Sequence, residues 1–418
     1  MTKRKQQGSK LIIGLIALSI AFLSGTGREM QSNVKPIHLK NIGKYKPGVS
    51  SFVPDQQKVK FIDSLVTSCY KKGMFNGTIL VAEKGKILYE GAFGYSNLKT
   101  KDTLNVNTPF QLASVSKMFT AAAIMLLHDK GKINYDDLVK KYLPDLPGEG
   151  ITIRNLLNHR SGLQNYIYVA DHYWNKSKVL VNNDIPTLFK LYKIQPIFKP
   201  GARFQYCNTN YALLALIVEK ISGTSFAQFM KSNIFDPLDM KDSYIYSKAT
   251  DNFIPGSAKG FSFYFRGRAF KEEIPDYLDG VTGDKDMFSS VRDMFLFDQS
   301  LYDCTILKAG TIADCFTADP NDKGKLKKYG FGWRIRVGDD DRQEVYHYGW
   351  WRGFRTYFVR EMTDRFTVIS LNNRSNVHIN SILCKILWYP YDDTKDAKGK
   401  KHKRNAMDEN EDSSEEGL

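Results

Sequence analysis

The stretch QLASVSKMFTAAAIMLL, residues 111–127, places a serine and a lysine at the start of a strongly apolar run. Ser114 precedes Lys117 by three residues, and the run that follows is apolar except for Thr120. This pattern predicts a helix that is buried on most of its faces. A buried ammonium group is costly unless it is paired or neutralised. Lys117 therefore either extends to solvent or takes part in chemistry.

The spacing of Ser114 and Lys117 suits acyl transfer. If Ser114 opens the helix, residues three apart lie on one face, so the two side chains can touch. Burial and a nearby positive group would lower the pKa of the lysine, which could then accept the serine proton. By itself, the tetrapeptide favours a simpler interpretation, in which the serine caps a helix and the lysine lies on the surface.

A second polar cluster precedes the apolar helical segment NYALLALIVEKISG, residues 210–223. It consists of Tyr206, Cys207 and Asn208. A phenol near a lysine can share proton transfer, and an asparagine two residues later can hydrogen-bond a substrate amide. The structural interpretation is a tyrosine that packs at the entrance of a helix with a capping asparagine.

A third cluster is HYGWWRGF, residues 347–354. Here a strand carries His347 and then Gly349, and a glycine in a strand lets a substrate backbone come close. A neighbouring N–H group can then face a developing oxyanion. The structural interpretation is a strand end followed by a turn.

Strand patterns occur near both ends of the chain. GTILVAEKGKILYEGAFGYSN (77–97) indicates two strands with a tight turn between them, and GFRTYFVRE (353–361) and RFTVISLNN (365–373) indicate two more. The residues between about 120 and 285 are mostly helical in pattern. This order predicts an α+β fold: an antiparallel sheet built from both chain ends, flanked by helices, with a mostly helical inserted subdomain.

Taken together, the three clusters resemble the active-site motifs of the serine beta-lactamase and penicillin-binding-protein superfamily. The resemblance is specifically to its class C beta-lactamase-like hydrolases and DD-peptidases. LLNHRSGL (156–163), GTSFAQFMKSNIFDPLDMKDS (223–243) and YGFGW (329–333) also look like that branch. The likeness extends over roughly residues 60–388 and implies one serine hydrolase domain over residues 56–390.

The resemblance implies a role for each motif residue. Ser114 would be the acylated nucleophile, and Lys117 would be its general base or proton relay. Tyr206 would assist as a base and then as an acid toward the leaving group. The implied substrate-binding residues are Asn208, His347, Gly349 and Trp350. Asn208 would orient the substrate and Lys117, and His347 and Gly349 would replace the family's third motif. The backbone N–H groups of Ser114 and Trp350 would form the oxyanion hole.

Three departures from the family pattern bear on the substrate. His347 stands where class C beta-lactamases usually carry lysine, and Tyr348 adds bulk where a small hydroxyl residue is common. GDKDMFSS (283–290) lacks the double glycine often found at that point. Because a histidine with an ordinary pKa of about 6.5 is mostly neutral above pH 7, it is a poorer permanent anchor for a carboxylate. The departures weigh against beta-lactamase activity more than against acyl transfer.

The two ends of the chain differ in composition from the rest. Residues 1–27 combine basic positions with an apolar stretch too short for an ordinary membrane span. They predict a signal peptide or, alternatively, an uncleaved anchor, and hence an exported protein, periplasmic or extracellular. Residues 28–55 are polar and contain prolines, as a linker does. Residues 391–418 carry six basic and nine acidic residues and predict a disordered charged tail.

The chain has a net charge of +15, of which +14 lies between residues 28 and 390. No nucleic-acid-binding motif accompanies this charge, so the sequence predicts no nucleic-acid partner. Electrostatic contact with an anionic cell wall or membrane surface is the simpler interpretation. The histidines have no metal-ligand spacing, and we expect neither a metal nor a cofactor. The oligomeric state is left open.

These observations predict an exported serine hydrolase that forms an acyl-enzyme with a small-molecule or peptide substrate. The substrate class is either a D-amino-acid peptide of the cell wall, as for a DD-peptidase, or a small ester. The first alternative is a class C-type beta-lactamase. A different class of alternative is a catalytically silent protein that binds wall peptide or penicillin-like ligands. Ser114, Lys117 and Tyr206 argue against the silent binder, since a pure binder need not keep all three.

Overall fold

The computed structural model describes residues 55–264, 269–320, 328–337, 342–375 and 386. The signal peptide predicted for 1–27, the tail predicted for 391–418 and all but the last residue of the predicted linker, 28–55, lie outside the described residues. The boundaries at 56 and 390 therefore stay predictions.

The described part of the chain contains fourteen strands and nine α-helices. The strands are β1 (Gly77–Glu83), β2 (Lys86–Phe93), β3 (Tyr95–Asn97), β4 (Asp102–Thr103), β5 (Phe110–Gln111), β6 (Tyr244–Ile245), β7 (Phe261–Tyr264), β8 (Ala269–Glu272), β9 (Met287–Ser289), β10 (Lys328–Tyr329), β11 (Arg334–Val337), β12 (Gln343–Trp351), β13 (Phe354–Glu361) and β14 (Phe366–Asn372). The helices are α1 (Gln56–Lys71), α2 (Ser116–Asp129), α3 (Ile153–Leu157), α4 (Tyr166–Tyr173), α5 (Asp184–Leu191), α6 (Asn208–Ser222), α7 (Phe226–Met230), α8 (Val291–Asp303) and α9 (Ala309–Cys315).

The main sheet has seven antiparallel strands in the order β10-β11-β12-β13-β14-β1-β2. Strand β1 pairs with β14 over its whole length, from Gly77 opposite Asn372 to Glu83 opposite Phe366. The turn between β1 and β2 has positive φ at Lys84 (53°) and Gly85 (76°), as tight hairpins require. Both ends of the chain thus build one sheet, which confirms the predicted fold.

Helices cover both faces of this sheet. Because successive residues of a strand point to opposite faces, Val81 and Val368 pack on one face with Ile62 of α1 in a single apolar cluster. On the other face, Arg360 of β13 donates to the Asp298 carboxylate of α8 at 2.6 Å. The core therefore has three layers, with the sheet in the middle.

The region between β2 and β10 is mostly helical, as predicted, and its centre is formed by α2 and α6, which pack against each other. All residues from Ser116 to Leu127 are buried in α2, and α6 is buried from Asn208 to Val218. Helix α6 ends at Gly223, whose φ of 71° is the usual left-handed cap. No single helix in the described part is long and apolar enough to cross a membrane, although α6 and the bent segment after it pass that test jointly.

Three small sheets in this region have no counterpart in the sequence prediction. They are β3-β4, β5-β9-β6 and the hairpin β7-β8. Strands β5 and β6 have two residues each, which is too short for an alternating pattern to be recognised. The β5-β9 pairing matters for the site because it places residue 111, just before the Ser114 turn, beside Phe288.

Candidate active site

Ser114 lies in a short 3-10 turn, Ala113–Val115, directly before α2. The sequence predicts that Ser114 opens the α-helix, whereas the α-helix begins two residues later, at Ser116. Ala113 has a φ of 49°, and such left-handed backbone costs a non-glycine residue about 1–3 kcal/mol. Strain of this kind persists only where the surrounding structure fixes the backbone.

The sheet holds the Ser114 turn in this conformation. The hydroxyl of Thr356 in β13 donates to the carbonyl oxygen of Leu112 at 2.5 Å. Gly349 in β12 lies so close that a Cβ atom there would stand 2.7 Å from the backbone nitrogen of Ser114 and 2.4 Å from the Leu112 oxygen. Only glycine permits this approach. Gly349 therefore brings β12 beside the backbone of the serine.

Lys117 lies in the first turn of α2 and is fully buried. Its Nζ is 2.9 Å from Ser114 Oγ. On the other side, Nζ donates to the backbone carbonyl oxygen of Asp284 at 2.8 Å. The amine is thus aimed at the serine hydroxyl, the geometry that a general base requires.

Tyr206 lies two residues before α6, and only 8% of its surface is exposed. The centre of its ring is 5.0 Å from Lys117 Nζ. The ring also packs against His159 at 4.4 Å and lies 6.1 Å from the ring of His347, measured between ring centres. The phenol and the lysine therefore occupy the same buried cluster.

Asn208 is the first residue of α6 and is almost fully buried. Within the described residues, its side-chain carbonyl oxygen has no hydrogen-bond partner. A buried carbonyl without a donor is unfavourable, so this oxygen is suited to receive an N–H group from a ligand. The chemistry fits the predicted contact with a substrate amide.

His347 is fully buried in β12, and both of its ring nitrogens are engaged. Nδ1 lies 2.7 Å from the Tyr348 carbonyl oxygen, which can only accept, so Nδ1 carries a hydrogen. Nε2 lies 3.0 Å from the hydroxyl of Tyr329, which donates to it. Burial lowers the pKa of His347 well below its usual value, and Arg334 and Lys117 lower it further. His347 is therefore neutral and, being fully buried, has no exposed nitrogen to hold an anion.

Beyond His347, strand β12 passes the Ser114 turn, and its residues there are buried or half-buried. Strand β11 pairs with β12 only as far as Tyr346, so in the described chain the residues up to Trp351 pair on one side only, with β13. Trp350 lies on this free edge, and the guanidinium carbon of Arg355 is 3.9 Å from the centre of its ring. Trp350 directly follows Gly349, whose backbone approaches that of Ser114, and its role as an oxyanion-hole donor stays a prediction.

Tyr348 does not point at Lys117. Its ring lies 6.5 Å from that of Tyr346 and 6.3 Å from that of Tyr357, beside the apolar cluster under α1. The bulk that the sequence places in the third motif therefore packs along the sheet.

Arg334 is a site residue that the sequence analysis missed. It is 8% exposed, and its guanidinium carbon lies 5.4 Å from the centre of the Tyr206 ring and 4.5 Å from that of Tyr348. The position directly after YGFGW, where a cation begins a short strand, was the available signal. Arg334 supplies a permanent positive charge beside the ring of Tyr206.

His159 fixes the segment that carries Tyr206. Its Nδ1 accepts the backbone N–H of Cys207 at 3.2 Å and lies 3.1 Å from the side-chain nitrogen of Asn210. Burial lowers the pKa of His159 well below its usual value, and Lys117 and His347 lower it further. Because Nδ1 faces two N–H donors, it carries no hydrogen of its own, as in a neutral ring. These contacts fit the packing role that the sequence suggests for LLNHRSGL.

No group of three or more histidine, cysteine, aspartate or glutamate side chains in the described ranges has a geometry that could hold a metal ion. The chemistry available in this cluster is that of a serine hydroxyl, an amine, a phenol and an amide.

Comparison with known proteins gives a consistent result. The family described as Beta-lactamase matches residues 61–378. Penicillin-binding protein 4* of Bacillus subtilis (strain 168) is 37% identical over 327 residues, which cover 76% of this chain and 72% of that protein.

Solved structures show the same fold. The penicillin-binding protein from Bacillus halodurans superposes with a TM-score of 0.70 at 24% identity, over 78% of this chain and 98% of the other. The D-amino acid amidase from Ochrobactrum anthropi SV3 superposes with a TM-score of 0.66 at 21% identity, over 79% and 98% of the two chains. Family match, relative and fold agree: the chain belongs to the beta-lactamase family of serine hydrolases, which includes the penicillin-binding proteins.

Proposed function

We propose that this protein is a serine hydrolase in which Ser114 forms an acyl-enzyme, Lys117 acts as the base and Tyr206 carries the proton to the leaving group. The observation that carries the proposal is the position of Lys117 Nζ, which lies 2.9 Å from Ser114 Oγ and is fully buried. A solvent-free amine in contact with a serine hydroxyl can exist in its neutral form and remove the serine proton.

In the first half of the reaction, Ser114 Oγ attacks the carbonyl carbon of the substrate while its proton passes to Lys117. The negative charge that develops on the substrate oxygen is stabilised by the backbone N–H groups of Ser114 and Trp350. Tyr206, beside Lys117, then gives a proton to the leaving amine or alcohol as the C–N or C–O bond breaks.

In the second half, water attacks the acyl-enzyme and gives its proton to the same Lys117–Tyr206 pair. The ester bond to Ser114 breaks, the serine recovers its proton and the acid product leaves. The side-chain oxygen of Asn208 receives an N–H of the substrate backbone throughout, which keeps the carbonyl carbon in line with Ser114.

The substrate class that we propose is a peptide that ends in D-amino acids and has a free terminal carboxylate. The guanidinium carbon of Arg334 lies 5.4 Å from the centre of the Tyr206 ring, and a guanidinium binds a carboxylate with two parallel hydrogen bonds. His347 is neutral and buried and cannot take this role. The name of the 37% identical relative, a penicillin-binding protein, is consistent with such a substrate. A small ester is the alternative substrate, and it needs no anchor for a carboxylate.

We also propose that the protein works outside the cytoplasm, where such peptides occur in cell walls. The export segment predicted for residues 1–27 supports this location, and the positive charge of the chain suits an anionic wall or membrane surface. The mass of the secreted protein and its fractionation with or without membranes would test cleavage and anchoring.

The central experiment is intact-mass measurement after exposure to a fluorophosphonate and, separately, to benzylpenicillin, with the Ser114→Ala variant as control. We expect both reagents to add one adduct to the wild-type protein and none to the variant. Hydrolysis is then measured on nitrocefin, on p-nitrophenyl acetate and on a peptide that ends in D-Ala-D-Ala.

The three substrates separate the alternatives. Cleavage of the peptide supports the proposal, and cleavage of p-nitrophenyl acetate alone supports an esterase. Efficient turnover of nitrocefin without the others would establish a beta-lactamase. The absence of both adducts and of any turnover would favour the silent binder.

A further inference from the structure

A second buried cluster lies directly behind Lys117 and is formed by Tyr166, Asp284 and Lys285. The Tyr166 hydroxyl donates to Asp284 Oδ2 at 3.0 Å. Lys285 Nζ donates to the Tyr166 oxygen at 2.5 Å and to Asp284 Oδ1 at 3.3 Å. The exposed fractions are 0% for Tyr166 and Asp284 and 3% for Lys285. The three side chains therefore satisfy one another out of contact with solvent.

This cluster is joined to the catalytic lysine through the backbone. The carbonyl oxygen of Asp284 accepts the hydrogen bond from Lys117 Nζ at 2.8 Å. The same loop is tied to α2 at two more points: the Thr120 hydroxyl donates to the Gly283 carbonyl at 2.7 Å, and the backbone N–H of Met287 donates to Ser116 Oγ at 3.1 Å. Any displacement of Asp284 would therefore move the acceptor of Lys117.

Stability alone does not account for such a cluster. Removing a carboxylate and an ammonium from water is expensive, and replacing a buried ion pair by apolar residues is often neutral or stabilising. Burial and the neighbouring Asp284 raise the pKa of Tyr166 well above its usual value, so the phenol keeps its proton and stays a donor. Hydrogen bonds join this charged cluster, through the Asp284 backbone, to the proposed catalytic base. The cluster is therefore a candidate for a functional role.

We propose that Tyr166, Asp284 and Lys285 are positioning residues for Lys117: they fix the Asp284 carbonyl against Nζ and balance the charge around it. This inference rests on the proposed role of Lys117 as the base.

The orientation argument follows from the valence of a neutral amine. Lys117 Nζ then has two N–H groups and one lone pair. When the Asp284 carbonyl takes one N–H, the lone pair can face the Ser114 hydroxyl, 2.9 Å away. The clamp of Tyr166 and Lys285 on the Asp284 side chain prevents this peptide from turning its carbonyl away.

The charge argument concerns the two opposite charges at Asp284 and Lys285. Loss of the Lys285 ammonium leaves an unpaired carboxylate on the residue whose backbone carbonyl contacts Nζ, which favours the protonated, inactive form of Lys117. Loss of the Asp284 carboxylate leaves an extra cation and favours the neutral, active form. Other titratable groups that interact with Lys117 are His159, Tyr206, Cys207, Tyr211 and His347. Asp286 lies in the same loop as Asp284, and Arg334 lies beside Tyr206. None of these residues is substituted in the variants. The pKa of Asp286 is raised by Asp284 and lowered by Lys285, so a change in its ionisation opposes part of each shift without reversing its direction.

The test is the pH dependence of serine phosphonylation by a fluorophosphonate in the full-length protein. In this step the Oγ–P bond forms, the P–F bond breaks, fluoride leaves and the serine proton passes to Lys117. We expect the acid limb of the rate profile to move to higher pH in Lys285→Met and to lower pH in Asp284→Asn, each by about 0.5–1 pH unit. Tyr166→Phe changes no charge and should lower the rate about 10-fold without moving the limb.

Surface substitutions with the same change of charge provide the controls. Lys241→Met and Asp239→Asn remove exposed partners of one ion pair, whose side chains are 78% and 74% exposed, and should leave the profile unmoved. Thermal unfolding shows whether each variant is folded, and the number of labelled sites per molecule gives the fraction that is active. Rates are then compared for folded protein only. If Lys285→Met does not fold, Lys285→Gln makes the same change of charge and keeps a hydrogen-bonding group.

Opposite movements of the acid limb in the two charge variants establish the inference. If both charge variants keep the wild-type midpoint of the pH–rate profile and differ only in a lower Tm, the inference is overturned. The cluster then has a purely structural role. A failure of the proposed function looks different, because the wild-type protein would then not be labelled at Ser114 at all.

Discussion

Lys117 Nζ lies 2.9 Å from Ser114 Oγ although the two side chains belong to different kinds of helix, a 3-10 turn and the α-helix that follows it. Ala113, the first residue of the 3-10 turn, has a left-handed φ of 49°. Lys117 has no exposed surface, so its amine interacts with groups inside the protein. The contact leads to predictions about each partner.

The first prediction concerns the serine. Ser114→Ala should abolish fluorophosphonate labelling and lower kcat/KM for p-nitrophenyl acetate by at least about 10³-fold, because no other group replaces the nucleophile. Ser116→Ala is the matched control. Its hydroxyl accepts the Met287 N–H at 3.1 Å and takes no part in the chemistry. This control should lose some stability but keep its labelling. Undiminished turnover by Ser114→Ala would refute the assignment.

The second prediction concerns the proton relay. Lys117→Ala and Tyr206→Phe should each slow acylation by about 10²–10⁴-fold, since each removes a group that moves the proton. The double variant should be no slower than the worse single variant, because the two residues act as one unit. Single-turnover acylation rates measure all three.

Tyr211→Phe is the control for the relay. Its ring centre is 5.9 Å from Lys117 Nζ, but its hydroxyl donates to the Leu157 carbonyl at 2.7 Å. We expect a loss of stability with a nearly normal acylation rate. If Tyr206→Phe behaves like Tyr211→Phe, the phenol of Tyr206 has no part in proton transfer.

The third prediction concerns the carboxylate anchor. Arg334→Gln should lower kcat/KM about 10- to 100-fold for a D-Ala-D-Ala peptide with a free carboxylate, the usual effect of losing a charged hydrogen bond. The same peptide with a terminal amide should be affected little. In the wild-type protein, KM for the free acid should be constant between pH 6.5 and 9, because a guanidinium does not titrate there.

Arg336→Gln provides the comparison for Arg334. Arg336 follows on the same strand, and its guanidinium pairs with the carboxylate of Glu344. This variant should discriminate between acid and amide as the wild-type protein does. A KM that rises steeply through the usual histidine range would show instead that His347 binds the carboxylate.

The sequence predicts those parts of the fold and site that depend on local pattern. Strands β1 (GTILVAE) and β14 (FTVISLN) are rich in β-branched and apolar residues, and Ser114 and Lys117 are close in sequence, so both features were recognisable. Tyr166 and Asp284 are 118 residues apart, and no spacing rule joins them. The neutral state of His347 likewise follows from burial and from Arg334, which only packing reveals. The sequence could not predict Arg334 as a site residue. Its place near the site depends on where β11 stops pairing with β12, at Arg334 opposite Tyr346, and no local pattern shows that position.

The fourth prediction concerns stability. Arg360 and Asp298 form an ion pair at 2.6 Å in which neither side chain is exposed. Arg360→Met leaves a carboxylate buried without its cation and should lower the free energy of unfolding by about 3–5 kcal/mol. Adding Asp298→Leu should restore much of that loss, because it removes the stranded charge. Urea denaturation of both variants measures the effect.

The comparison for this pair is Arg292→Met. Arg292 pairs with Glu90 at 2.5 Å, but its side chain is 48% exposed, so the substitution should cost less than about 1 kcal/mol. An equal loss in Arg292→Met and Arg360→Met would show that burial is not what makes the second pair sensitive.

A last prediction follows from Asp286, in the loop behind Lys117. Its Oδ1 accepts the Gly283 N–H at 2.5 Å, and within the described residues its Oδ2 has no partner. Burial, followed by the charge of Asp284, raises the pKa of Asp286 to about 7. The folded protein therefore binds this proton more tightly than the unfolded chain, whose aspartate pKa is about 3.9. The stabilisation from Asp286 is complete below that value and is lost as the pH rises through 7.

Asp286→Asn should therefore stabilise the protein more at pH 8 than at pH 5. An asparagine keeps the carbonyl that accepts the Gly283 N–H but carries no charge, so it avoids the cost of ionising a buried carboxyl group. For a pKa near 7, the gain relative to the wild-type protein should be larger at pH 8 by about 2–3 kcal/mol. Urea denaturation at the two pH values measures it, with Asp239→Asn, 74% exposed at its side chain, as the control that should show no such difference. An Asp286→Asn gain that is equal at both pH values would mean that Asp286 is already ionised in the folded protein at pH 5.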